Sequence, residues 1–239
     1  MSNRSSGGPA HSHFALTGRS RHIDSRVDPA RKDLADIRLA DRVFAPHYAA
    51  AVLRVATAHT PLLSAGASDA APLSELLPGD GFEMLEETSS YAWGVSRADG
   101  AVGYVAVGAL GGSEAAPAPH ANGATSDIAT AAEKLIGVPA RAGGRSAAGV
   151  DAGGFVFLAA HMAGTDAPRF VDLQAERLGE PLPADAPAQR GDLIFFADDA
   201  AILADADETI HVGAEQVLRE PLAELVARHG AIVARRRLA

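Results

Sequence analysis

Asp198, Asp199, Asp205, Asp207 and His211 place four carboxylates and an imidazole close together near the C-terminal end of the chain. On two neighbouring strands such residues are the donor types of a divalent cation site, and Asp199 with His211 would also make an acid–base pair. The same spacing suits an acidic hairpin turn, and His211, inside an apolar run, equally suits a core histidine. Nucleophiles are scarce. The chain has no cysteine, Ser146 lacks the G-x-S-x-G elbow, and H-E-x-x-H is absent. Gly143, Gly144, Gly153 and Gly154 surround Asp151 without the lysine of a phosphate loop, so they read as residues of backbone conformation. Asp151 has two open readings: the N-cap of a following helix, worth about 1 kcal/mol, or a carboxylate for a cationic ligand group.

These residues need elements to hold them. From Ala51 the texture is one of short alternating runs, namely VLRVAT, PLSELL, DGFEMLEET, YAWGVSR and VGYVAVGAL, with Pro78-Gly79 and Asp99-Gly100 as turns. Asp99-Gly100 between two such runs is a hairpin signal, and the spacing predicts a small β-barrel over about 45–112. Residues 113–126, rich in Ala, Pro, Gly and Ser, read as a linker. Ser126 is the predicted N-cap of a helix with Ile128, Ala131, Ala132, Leu135 and Ile136 on its apolar face and Gly137 at its end. A second helix is predicted from just after Asp151 to Gly164. DLIFFAD, AAILAD and TIHVG read as buried strands, PLAELVARHG as a short helix and IVARRRL as a last strand, which together make an α+β domain.

Composition bounds the rest. The 239 residues are 47% apolar and 21% charged, ordinary globular material. A net charge of −9 argues against nucleic acid as a partner. No apolar run reaches the roughly 20 residues of a membrane span. Residues 1–27 read as a disordered tail without the apolar core of a signal peptide, which points to the cytoplasm; His11 and His13 within it read as solvated. Residues 28–43 are a partly amphipathic lead-in.

The stretch GRSAAGVDAGG, preceded by IGVP and followed by PRFVDLQ, QRGDLIFF and TIHVG, resembles the ordered motifs of the NlpC-type papain-like peptidases, which cut peptidoglycan stem peptides. The resemblance covers residues 127–239. Residues 28–112, with Trp93, Gly103, Tyr104 and Val105 in the places of a G-W-x-V…G-Y-V pattern, resemble a bacterial SH3-like domain. The pair is similar to the dipeptidyl-peptidase type associated with murein recycling, in which two SH3-like domains are common; this chain has room for one. The implied fold is therefore an SH3-like β-barrel followed by a papain-like NlpC-type α+β domain.

The resemblance also implies site roles. Ala152 stands at the nucleophile position, where the family has cysteine. Asp199 stands at the position of the basic histidine, and His211 at the third position, which orients the base. Gly153 replaces a serine that helps bind the substrate amine, and Ala140 and Ala142 replace aromatics. Asp151, Gly153, Arg169, Gln174 and Trp93 are the implied ligand-binding positions, and Arg169 is open between a ligand carboxylate and Asp172. With nucleophile and base replaced, the chain is expected to be an inactive relative of a γ-D-glutamyl-L-diamino-acid cysteine peptidase. It would act as a muropeptide-binding or regulatory module, with a stem peptide or a protein as partner. The alternative is a residual or metal-assisted hydrolase of cell-wall peptides. No cofactor or resident metal is implied.

Overall fold

Each alternating run is a strand in the computed structural model, which describes residues 23–113 and 127–238. The N-terminal part comprises β1 (Leu34–Asp36), β2 (His47–Ala49), β3 (Val52–Ala56), β4 (Thr60–Leu63), β5 (Pro72–Leu76), β6 (Gly81–Glu87), β7 (Tyr91–Ser96), β8 (Val102–Ala106) and β9 (Leu110–Gly111). Gly100, at φ +72°, makes the β7–β8 turn as the Asp-Gly pair predicts. Seven strands form one antiparallel sheet in the order β5-β4-β8-β7-β6-β3-β9.

The expected β-barrel is not found, because the described strands run from one edge to the other without closing. The β5 edge has another use. The Glu75 carbonyl oxygen accepts a hydrogen bond from Arg145 Nε at 3.0 Å, so the second half of the chain sits where closure would need a strand. The lead-in 28–43 contains β1 and a 3-10 turn capped by Asp36. Residues 23–27, the end of the expected tail, are ordered: the Arg26 carbonyl accepts from the Val102 amide, and its guanidinium pairs with Asp24 and Asp172. His11, His13, Ser126 and nearly all of the linker lie outside the described residues.

The C-terminal part comprises α1 (Ile128–Glu133), β10 (Arg145–Ser146), β11 (Gly149–Val150), α2 (Ala152–Met162), α3 (Val171–Arg177), β12 (Glu180–Pro181), β13 (Leu193–Phe195), β14 (Ala200–Leu203), β15 (Glu208–Val212), β16 (Val217–Pro221), α4 (Leu222–His229) and β17 (Ala234–Arg237). Asp127 is the N-cap of α1, accepting from the Thr130 amide. The main sheet has the antiparallel order β12-β17-β13-β14-β15-β16. Strand alternation divides its side chains between two cores. Leu193, Phe195, Ala200, Ile202 and Ile210 pack with Ile128, Phe155 and Ala159 from α1 and α2. Ile194, Phe196, Ala201 and Leu203 pack with Leu225 of α4. Helix α2 is buried on nearly all sides, as its apolar sequence requires, whereas α4 is amphipathic and fully buries only Leu225.

Asp192 anchors the end of the fold. It is completely buried and accepts from the Gln189 amide and from Arg235 and Arg237 of β17, the last at 2.6 and 2.9 Å. Asp192→Ala leaves those cations without their carboxylate. It is expected to cost about 3 kcal/mol, read as a lower urea midpoint at unchanged m-value.

Candidate functional site

The site forms where α2 begins. Asp151, extended at φ −96° and ψ 178°, caps the helix: its Oδ1 accepts from the Gly154 amide at 2.7 Å. The same oxygen accepts from Arg169 Nη1 at 2.8 Å. Oδ2 accepts from Arg169 Nη2 at 2.7 Å and from the Gly143 amide at 2.9 Å. Four donors from the chain itself thus occupy a carboxylate with about four acceptor sites. Of its two readings the structure supports capping, and adds a bidentate pair with Arg169. Arg169 therefore does not pair with Asp172, which takes Arg26 instead.

The glycines around Ala152 lie close against neighbouring groups. A Cβ on Gly153 would lie 2.5 Å from the Arg169 carbonyl oxygen, so a serine here meets backbone. A Cβ on Gly154 would overlap the Gly144 carbonyl oxygen. Gly143, at φ +71°, would meet Pro72 at 2.8 Å. Buried Gln174 fastens α3 to this turn, donating from Nε2 to the carbonyls of Gly153 and Pro168 at 2.9 and 2.7 Å. Ala152 is half-buried and offers a methyl group, with neither a proton nor a lone pair to give.

Behind this turn lies a chain of buried charge that joins the two halves of the chain. Arg169, 2% exposed, points Nε at Ser74 Oγ (3.3 Å) and lies 3.9 Å from Asp99. Arg145 pairs with Asp80 and, at 3.3 Å, with Asp99, and its amide donates to Glu75 Oε1. Glu75 also takes Arg141 and His59. Burial pushes the Glu75 carboxyl up, but the Arg145 amide, the Ser146 and His59 hydrogen bonds and the Arg141 charge outweigh it, and its pKa is lowered. Glu75, Asp80 and Arg141 were not singled out in the sequence, Asp99 was read only as a turn residue, and Arg145 only as part of the GRSAAGVDAGG stretch. Their only sign there was that Asp99 and Pro78-Gly79-Asp80 lie in turns, where acidic residues are ordinary.

Trp93 is 3% exposed within the N-terminal core, and the Arg31 guanidinium covers its ring at 4.3 Å.

Asp199 and His211 do come together, with Oδ2 and Nδ1 3.9 Å apart. His211 pairs in register with Ala201, whose side chain belongs to the α4 core, so the couple lies on the sheet face opposite α2. Among the described residues no hydrogen bond or ion pair joins positions 151–154 to either group. His229 Nε2 lies 3.2 Å from Asp199, and Glu220 3.0 Å from His211 Nε2. Neither partner was singled out in the sequence, since each is an ordinary polar residue on a surface element. Asp205 instead closes the β14–β15 turn, accepting from the amides of Asp207 and Glu208. Among the described residues no three His, Asp or Glu side chains converge as a metal-binding set, and no helix is long and apolar enough to cross a membrane.

Residues 137–236 match the family model described as NlpC/P60 family. Among solved structures, NlpC2 from Trichomonas vaginalis is similar over 78% of this chain and 72% of its own, at 13% identity and a TM-score of 0.43. An NlpC/P60 family protein from Bacillus cereus is similar over 77% and 62%, at 20% identity and 0.43. The peptidoglycan hydrolase RipB from Mycobacterium tuberculosis is similar over 52% and 68%, at 24% identity and 0.41. No curated protein matches.

Gly153→Ser tests the closeness of the packing. The structure predicts a loss of about 2 kcal/mol or more by overpacking, measured by urea unfolding.

Proposed function

We propose that this chain, whose residues 137–236 belong to the NlpC/P60 family, uses that fold for binding and not for hydrolysis. The observation that carries the reading is Ala152 at the helix start where the family has its thiol, beside an Asp151 already saturated by Gly143, Gly154 and Arg169. Thiol chemistry needs a thiolate held near an imidazole. Here the first group is a methyl, and a carboxylate stands at the position of the second.

The ligand class that follows from the family is a peptidoglycan stem peptide, with a protein as the other candidate partner. Asp151 is not free to hold a substrate amine in this reading, so recognition rests on other groups. The SH3-like assignment of residues 28–112 and the cytoplasmic recycling setting belong to the same proposal, and rest on the likeness to the dipeptidyl-peptidase type. The metal-assisted alternative has less support: Asp205 is engaged in its own turn, and among the described residues no donor set converges.

The test is incubation with L-Ala-γ-D-Glu-diaminopimelate peptides, followed by mass spectrometry and calorimetry. No product is expected, and saturable heat without product identifies the peptide as ligand. Turnover at ordinary enzyme rates, about 1–1,000 per second, would overturn the reading. Ala152→Cys alone is expected to remain inactive in the same assay, because no base accompanies the restored thiol.

A further inference from the structure

His211 is the least satisfied polar group on the α4 face of the main sheet. It is 1% exposed, and its Nδ1 is buried with no hydrogen-bond partner. Its Nε2 lies 3.0 Å from Glu220 Oε2, and Glu220 is itself paired with Arg228 at 2.6 Å. A carboxylate held by an arginine only accepts, so the ring proton sits on Nε2 and Nδ1 presents a lone pair. That lone pair faces Asp199 Oδ2 at 3.9 Å. The other oxygen, Oδ1, is occupied by the Ala200 amide at 2.8 Å. Two acceptors therefore oppose each other: Asp199 Oδ2 also lies 3.2 Å from His229 Nε2, which can donate to it, but His211 Nδ1 is left without a donor.

The surroundings are defined on each side. From α4, Arg228 and His229 reach the two carboxylates, and Glu224 contributes to the field at Arg228. Asp198, exposed before β14, lies 3.8 Å from His229 Nδ1. Glu220 is the charged group from β16. The core contacts of α1 and α2 are on the far face of the sheet and are apolar.

We propose that Asp199 and His211 act as a proton-uptake pair, in which one solvent proton binds Asp199 Oδ2 and is donated to His211 Nδ1. The repulsive contact becomes a hydrogen bond between two neutral groups. Because Arg228 and His229 face the flanking carboxylates, the event is felt where the last turn of α4 is seated, where neutralising Asp199 removes the charge opposite His229. Burial supports the same order of events. It pushes the Asp199 carboxyl up and the His211 imidazole down, so the neutral form of each is favoured and the two titrate as a unit.

The signs oppose each other. A carboxyl raised by folding stabilises fully below its unfolded value of about 3.9, and that stability is lost as pH rises through the folded value. An imidazole lowered by folding stabilises fully above about 6.5, and that stability is lost as pH falls through its folded value. The pair thus takes up its proton as pH falls through the raised folded value of Asp199, and the gain is lost on further acidification through the lowered folded value of His211.

Nitrogen-15 NMR of the histidine rings, followed from pH 7.5 to 4.5, tests this. The His211 Nδ1 resonance is expected to move upfield in one step while Nε2 stays protonated. In Asp199→Asn, whose amide supplies a permanent donor, Nδ1 should sit at the acid position throughout, and Asp198→Asn should leave the step intact. Thermal melts give a second reading: Asp199→Asn should raise Tm at pH 7.5 and lose that advantage at pH 5. A step that persists in Asp199→Asn, a wild-type Nδ1 that never moves, or a response confined to His229 would overturn the proposal.

Discussion

The carboxylate of Asp151 is the tie on which the arrangement depends. One side chain caps α2, holds the Gly143 loop and neutralises Arg169. Through Arg169 the tie extends to Ser74 and Asp99 in the N-terminal sheet. An arginine at 2% exposure is tolerable only with its charge matched and its donors used, because an unpaired buried cation costs several kcal/mol. The two halves of the chain are thus joined by a requirement of charge as well as by packing.

That requirement separates the residues of the site into two groups. Asp151, Gly153, Gly154, Arg169 and Gln174 are held by geometry: each meets backbone or buried charge, and a different side chain would have to displace something. Ala152 and Asp199 are under no such constraint at α2. The groups that build the helix start are therefore different atoms from those at positions 152 and 199.

Much of this was legible in the sequence. Period-two runs marked β3, β5, β6, β7 and β8, and an aspartate before an apolar run marked the start of α2. The short elements α3 and β16 were not legible, because seven and five residues of mixed polarity carry little periodicity. Barrel closure was over-read: strand spacing does not say whether an edge meets another strand or, as at Glu75, an arginine from elsewhere. The ion network was invisible for the same reason, with partners such as Asp80 and Arg145 lying 65 positions apart. Trp93 illustrates the limit on single residues. The pattern around this aromatic does not announce Arg31, which lies over its ring.

The central claim is that Asp151 and Arg169 hold each other at the start of α2. A double-mutant cycle with Asp151→Ala, Arg169→Ala and the double variant measures this directly by urea unfolding, and it subtracts the loss of the helix cap common to both arms. The account predicts a coupling of about 2 kcal/mol or more, in the upper range for contacting residues. A coupling under about 0.5 kcal/mol, the level of independent sites, would contradict it.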